Sequence, residues 1–387
     1  MFSLDRFYNI LHNNLIASFQ NGRSVYFYPF GTYQDINVLT DKVDISRHSY
    51  GPEKHWPAEQ EFFHCYFFDQ EPIYNDTDII LRNSILNQKF FISPTRINVL
   101  ANSEISITKD DIISKYEFND WYYFFHGFAA LDWYRDFQYV NPSSFNRFDK
   151  VFICYNHLTA KYRSYRLHLV SNLLEQDLVK HGSVSLFADN WQETIEDPTN
   201  LLDNRARIKV YNALKDATLP LTIDTDNPAG SLSASVKLDD LTSALFHVVT
   251  ETIYFQDKLH LTEKVFKPIV AKRPFFLVAA PGNLAYLKRY GFRTFDQWID
   301  ESYDTEPDHY IRIEKITAEL ARLCAMDRGA LEQMHREMQE VLEYNFNHFY
   351  TTFKDLIVDE LVDNFAQLPT VDLSPDYLLE VKTRLKQ

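Results

Sequence analysis

Two apolar runs of strand length, Phe246 to Thr250 and Pro274 to Ala279, stand on either side of a short helical stretch. Together they restrict the segment from His247 to Ala280 to a βαβ unit. Glu251 closes the first run. Thr262 is the predicted N-cap of the helix, since its hydroxyl can accept from a backbone N–H that has no partner within the helix. A helix start also offers its unpaired N–H groups and the positive end of its dipole to an anion, and Lys264 adds a formal charge there. Pro268 lies past the first turn, where a proline removes a helix hydrogen bond and clashes with the preceding turn, so the predicted helix is short or kinked. Ligands of open α/β sheets sit beyond the carboxyl ends of the strands, which is where Glu251 and the triplet Thr262-Glu263-Lys264 fall. An ordinary βαβ unit with a solvated helix start is the plainer reading of the same residues.

A second such piece lies upstream. Lys150 to Tyr155 (KVFICY) reads as a strand, followed by Asn156-His157-Leu158-Thr159-Ala160-Lys161-Tyr162-Arg163 and a helix through Arg166, Leu169, Leu173 and Leu174. This is the pattern of the first strand and helix of a nucleotide-binding half. Arg163 and Arg166 at the helix start suit a diphosphate, because guanidinium groups give paired, directional bonds to phosphate oxygens. A surface ion pair with Glu175 or Asp177 is the alternative for either arginine taken singly.

The combination of Glu251 with Thr262-Glu263-Lys264 resembles the GT-B glycosyltransferases, and within them a fucosyltransferase-like group whose signature is a Glu followed by Thr-Glu-Lys. The likeness continues less specifically through Phe266, Pro274 and Phe275. It departs at Thr252, where that group usually has Asn. The resemblance implies two Rossmann-like, doubly wound α/β domains facing an interdomain cleft. It also implies that Lys264 contacts the donor phosphates, that Glu251 and Glu263 hold the ribose or the sugar hydroxyls, and that an arginine near the start of the first donor-domain helix assists.

With 387 residues, the chain is long enough for two domains with separate cores. No run approaches the roughly 20 apolar residues of a membrane span, and the N-terminus MFSLDRFYNILHNN lacks a basic region followed by an apolar core, so a cytoplasmic protein is expected. The three cysteines, Cys65, Cys154 and Cys324, are far apart and suggest neither a metal cluster nor a disulfide framework. A net charge of -15 argues against an extended nucleic-acid interface. Only nine glycines occur, with no GxGxxG and no GxxxxGK[ST], so side chains and helix starts must hold any phosphate.

Residues 1–145 read as an N-terminal, acceptor-side α/β domain, with strand-like runs at Ser24 to Tyr28, Phe62 to Phe68, Ile79 to Leu81, Phe90 to Ile92 and Trp121 to Phe125. The turn-forming stretch Asn141 to Asn146 marks the boundary. Residues 146–345 read as the donor-binding domain, with strands near Val151 to Tyr155, Ser183 to Phe187, Leu219 to Ile223, Leu245 to Val249 and Pro274 to Ala279 alternating with helices, as in a doubly wound sheet. Gly291 is a predicted helix C-cap. The helical stretch from about Tyr310 to Tyr350 is broken near Asp327-Arg328-Gly329, and residues 346–387 form C-terminal helices that in GT-B enzymes pack back on the first domain.

An inverting transfer needs a general base on the acceptor side. Asp69 and Glu71 stand at the end of the aromatic run Phe67-Phe68, and His126 ends the run Phe124-Phe125, with Asp132 shortly after. Histidine needs little tuning to act as a base near neutral pH. The activity that the resemblance implies is glycosyl transfer from a nucleoside-diphosphate sugar, GDP- or UDP-linked, to a hydroxyl of a glycan or other acceptor. A nucleic-acid acceptor is disfavoured, and no metal or other cofactor is expected. Alternatives are a metal-dependent GT-A-like enzyme using Asp76-Thr77-Asp78 or Asp224-Thr225-Asp226, a non-catalytic nucleotide-sugar-binding protein, and a carbohydrate hydrolase with a carboxylate pair.

Overall fold

The computed structural model describes residues 15, 25–27, 49–50, 65–69, 72–73, 99–107, 118–143, 148–187, 190–221, 238–369 and 373–386. The chain divides into two compact units, one of Met1–Trp133 with Thr352–Gln387 and one of Tyr134–Thr351. Both are mixed α/β units with parallel sheets.

The first unit contains strands β1 (Val25–Phe27), β2 (Ser49–Tyr50), β3 (Cys65–Phe68), β4 (Val99–Asn102) and β5 (Asn119–Tyr122), in the order β2-β1-β3-β4-β5. All pairings are parallel, with Phe67 opposite Ala101 and Ala101 opposite Trp121. Every residue of β4 is buried, as expected where helices cover both faces of a parallel sheet. Helix Thr352–Ala366 packs at the β5 end of the sheet. Asn364 Nδ2 donates to the Tyr122 carbonyl at 2.9 Å, Trp121 Nε1 to the Leu361 carbonyl at 3.3 Å, and the Phe124 and Phe353 rings meet edge to face at 5.8 Å. The order has its topological switch between β1 and β3, and Asp69 directly follows β3.

The expected strand Trp121 to Phe125 is corrected by the structure. The ladder ends at Tyr122, the chain turns through Tyr123 and Phe124, and a helix runs from Phe125 to Trp133. Phe125 N–H donates to the Tyr123 carbonyl and Gly127 N–H to the Phe124 carbonyl, so His126 lies in the first turn of a helix rather than at a strand end. An aromatic run suits a buried helix as well as a strand, and periodicity does not separate the two. The runs Ile79 to Leu81 and Phe90 to Ile92 lie outside the described residues.

The second unit holds β6 (Lys150–Cys154), β7 (Gly182–Val184), β8 (Ala244–Thr250) and β9 (Phe275–Val278), all parallel, in the order β9-β8-β6-β7. The chain moves outward from β6 to β7 and then returns to build β8 and β9 on the other side, so this sheet has its switch between β6 and β8. Cys154, the last residue of β6, pairs with Val248, leaving Thr250 and Glu251 to project past the end of β6. Of the expected strand Leu219 to Ile223, Leu221 forms an isolated antiparallel bridge with Leu186, each N–H donating to the other carbonyl.

Side chains fix the helix ends as the sequence directs. Asp203, Asp308 and Asp327 cap helices Asn204–Leu214, His309–Cys324 and Arg328–Glu337, and the expected break near Asp327 is present. Gly291 follows helix Asn283–Arg289 at φ +87°, a left-handed turn that a side chain would strain, and any Cβ there would also press on the His348 ring. Among the described residues, no helix is long and apolar enough to cross a membrane.

Two buried histidines of this unit make its stability depend on pH. Burial pulls His247, which donates from Nε2 to the Leu241 carbonyl at 2.9 Å, down to about 4, with Arg273 and Lys267 adding to the effect. Burial, reinforced by Arg273, also pulls His335 down to about 4. The unfolded chain takes up these protons near the ordinary histidine value of about 6.5, whereas the folded chain refuses them until about 4. Stability is therefore full above about pH 6.5 and falls as the pH drops toward 4, by on the order of 3 kcal/mol for each imidazole. Melting temperatures recorded across this range should fall accordingly, and His335→Leu should flatten the curve; an unchanged slope in that variant would exclude His335 as a source.

Candidate functional site

The carboxyl edge of the second sheet gathers the residues that the sequence singles out. Glu251 leaves β8 with no exposed surface. Its carboxylate accepts from Thr262 N–H at 3.1 Å, Thr262 Oγ1 at 2.5 Å and Thr252 N–H at 3.3 Å. A buried carboxylate is costly unless donors surround it, and here the chain loops out after Thr252 and returns at Thr262 to supply them. Burial raises the Glu251 pKa, Glu263 pushes in the same direction, and Lys264 together with the Thr262 bonds opposes them.

Thr262 is the N-cap that its sequence position predicts. Its hydroxyl accepts from Lys264 N–H at 3.4 Å while bonding Glu251. The helix it starts is short, a single 3-10 turn Glu263–Val265 continuing as Phe266–Val270, in accord with Pro268. Lys264 Nζ reaches Glu263 Oε1 and Thr262 Oγ1, each at 3.1 Å, and Thr252 Oγ1 at 3.5 Å. Its side chain is about one-third exposed, whereas Glu263 is buried. Of the triplet, Lys264 is the residue whose side chain keeps surface toward solvent.

The upstream motif meets this cluster across the switch. Arg166, buried in the first turn of helix Tyr165–Glu175, donates from Nη2 to the Thr250 carbonyl at 3.1 Å and from Nη1 to the Leu158 carbonyl at 2.9 Å. Tyr165 Oη donates to the Glu251 carbonyl at 2.5 Å, and its ring stacks on Tyr254 at 4.3 Å. Thr250 Oγ1 donates to the Tyr155 carbonyl at 3.0 Å, tying the ends of β6 and β8 together. Arg163 is half-buried in the 3-10 turn Lys161–Arg163 ahead of that helix. The two arginines therefore differ: Arg166 braces backbone carbonyls, and Arg163 keeps surface toward solvent.

Sequence reasoning did not single out Lys267, Tyr165 or Asn283. Lys267 is half-buried on the short helix; burial lowers its pKa to about 8, Glu263 opposes this and Lys264 adds to it. Its position three residues after Lys264, on one side of a helix, was the available signal. No local pattern marks Tyr165 or Asn283, since the Glu251 carbonyl that Tyr165 bonds and the Lys258 and His260 backbone that Asn283 bonds are distant in sequence.

The acceptor-side candidates belong to the first unit. Asp69 is buried after β3 and accepts from Tyr123 Oη at 2.5 Å. Nearby, Glu104 accepts from Ile73 N–H at 3.0 Å, and its own N–H donates to Asn102 Oδ1 at 3.1 Å. His126 is buried on helix Phe125–Trp133, nearly two turns before Asp132. Glu71 and both Asp-x-Asp triplets, Asp76-Thr77-Asp78 and Asp224-Thr225-Asp226, lie outside the described residues. Among the described residues, no group of three or more His, Cys, Asp or Glu is placed to hold a metal ion. A concavity of about 530 Å³ on the first unit is lined by Asp376, Leu379, Glu380, Thr383 and Arg384, all from one helix, and has none of the site's residues.

No protein-family model matches the chain, and no curated protein matches it.

The Glu251–Thr262 contact can be tested for its weight in the fold. Thr262→Val keeps the shape but removes one donor to a fully buried carboxylate along with the cap on Lys264 N–H, and should cost about 1–3 kcal/mol in chemical denaturation. Thr262→Ser should recover most of the loss, and a Val variant as stable as the parent would show that the bond contributes nothing.

Proposed function

We propose that the chain is a GT-B glycosyltransferase, of the fucosyltransferase-like kind, that moves a sugar from a nucleoside-diphosphate donor to a hydroxyl acceptor without a metal ion. The observation that carries this reading is convergence: two motifs separated by about a quarter of the chain meet at the topological switch of one parallel sheet, where open α/β folds bind ligands. The second unit carries the donor and the first the acceptor side, in the two-domain GT-B arrangement.

In this mechanism Lys264 and Arg163 lie against the diphosphate and offset the charge that develops as the nucleotide departs. Glu251 has its oxygens engaged by protein donors, so it orients Thr262 and the Lys264 backbone instead of gripping the ligand. Glu263 holds the Lys264 ammonium until phosphate replaces it. Arg166 and Tyr165 keep the ends of β6 and β8 in register beneath the ligand. Asp69, paired with Tyr123, serves as the base that takes the acceptor hydroxyl proton.

GDP-, UDP-, ADP-, CMP- and dTDP-linked sugars should be screened for a rise in melting temperature, which any ligand selective for the native state must produce. One nucleotide family should shift the wild type in the presence of EDTA and fail to shift Lys264→Ala, a variant that folds normally and loses most activity. Full turnover by that variant would contradict the assignment. A shift abolished by EDTA would favour a metal-dependent enzyme instead.

A further inference from the structure

The loop that separates Glu251 from Thr262 is pinned by a side chain far from either. Asn283, the first residue of helix Asn283–Arg289, has no exposed surface, and its carboxamide makes three bonds. Oδ1 accepts from His260 N–H at 2.9 Å, while Nδ2 donates to the Lys258 carbonyl at 3.1 Å and to the Ala280 carbonyl at 2.8 Å. The first two bonds grip the loop immediately before Thr262, and the third anchors the carboxamide to the chain leaving β9. Through this one side chain the second half of the loop is joined to the chain leaving β9.

The surroundings fix Asn283 in turn. Gly282 turns at φ +82°, a conformation that strains L side chains, and its N–H donates to the Asp304 carbonyl at 2.7 Å. The Asp304 carboxylate caps the same helix at Leu284 N–H (2.9 Å) and Ala285 N–H (3.3 Å). The other half of the loop is held separately. Ala280 N–H donates to the Ile253 carbonyl, and Arg312 Nη1 donates to the Tyr254 and Ala279 carbonyls at 2.8 and 2.9 Å. With both halves of the loop tied to the end of β9, Thr262 returns to Glu251 in one geometry.

We propose that Asn283 is a positioning residue for the donor-binding turn. It touches no ligand, but by locking Lys258 and His260 against Ala280 it sets where the Lys264 ammonium stands relative to the diphosphate. The proposal rests on the nucleotide-sugar reading given above. Removing the carboxamide deletes the three bonds that hold Lys258 and His260 to the chain leaving β9, and the loop loses that restraint. A displacement of about 1 Å at a binding group is enough to cost a large factor in productive binding.

The test compares wild type with Asn283→Ala using GDP, UDP, ADP, CMP, dTDP and pyrophosphate as probes. Affinity is measured well below the melting temperature, alongside amide hydrogen exchange. For the probe that binds wild type, Asn283→Ala should weaken affinity at least about tenfold. Exchange should quicken at Leu259 to Lys264 and stay unchanged in helix His309–Cys324. If the alanine variant does not fold, Asn283→Ser, which keeps a polar group but falls one bond short of the carboxamide atoms, is measured against the same criteria. Wild-type affinity, or exchange at Leu259 to Lys264 as slow as in wild type, would overturn the positioning role. If no probe binds wild type, the nucleotide-sugar reading fails and the positioning role falls with it, whereas slow exchange in the variant alongside binding by wild type removes only the role of Asn283.

Discussion

A carboxylate with no exposed surface organises the second unit. Burying Glu251 is unfavourable unless donors reach it, and the donors come from Thr252 beside it and from Thr262 after a long excursion of the chain. That one requirement joins the exit of β8 to the start of the short helix and places Lys264 at the sheet edge. The same Thr262 hydroxyl both donates to Glu251 and accepts from Lys264 N–H, so cap and carboxylate contact form together. Elsewhere along the edge side chains reach backbone carbonyls: Arg166 those of Thr250 and Leu158, Tyr165 that of Glu251, Arg312 those of Tyr254 and Ala279. Carbonyls that would otherwise be left unpaired beyond the last ladder bonds are satisfied in this way.

Both units are built on the same plan. In each, parallel strands extend from one starting strand in two directions, leaving a switch at the carboxyl edge, and an acidic residue follows a strand at that switch: Asp69 after β3 and Glu251 after β8. The two acids are handled differently. Asp69 meets a tyrosine hydroxyl at 2.5 Å, a partner that can share its proton, whereas Glu251 meets backbone N–H groups and a threonine held in a cap. In the proposed mechanism Asp69 takes the acceptor proton and Glu251 holds the donor-binding turn.

Much of the second unit was legible in the sequence because its signals are local. The strands around Val151 to Tyr155, Leu245 to Val249 and Pro274 to Ala279, the cap at Thr262, the short helix imposed by Pro268, the C-cap at Gly291 and the break at Asp327 all follow from patterns a few residues long. Where the reading failed, the deciding force was tertiary. His126 is helical because the aromatic run leaves the sheet at Tyr122, where Asn364 Nδ2 bonds the Tyr122 carbonyl, and nothing within residues 121–125 announces that. Arg166 was legible as a residue at the start of the helix after β6 but not in its contacts, since the Thr250 and Leu158 carbonyls that hold it are set by how β6 and β8 pair. Asn283 was illegible altogether, because an asparagine that starts a helix looks the same whether it caps, faces solvent or clamps a loop.

The most direct measurement is a crystal structure of the protein with the nucleoside diphosphate that best stabilises it. The account predicts density for the diphosphate at the carboxyl ends of β6 and β8, with a phosphate oxygen within hydrogen-bond distance of Lys264 Nζ and Glu251 still buried against Thr262. A nucleotide bound elsewhere on the chain, or one at this edge whose phosphates avoid Lys264, would contradict it.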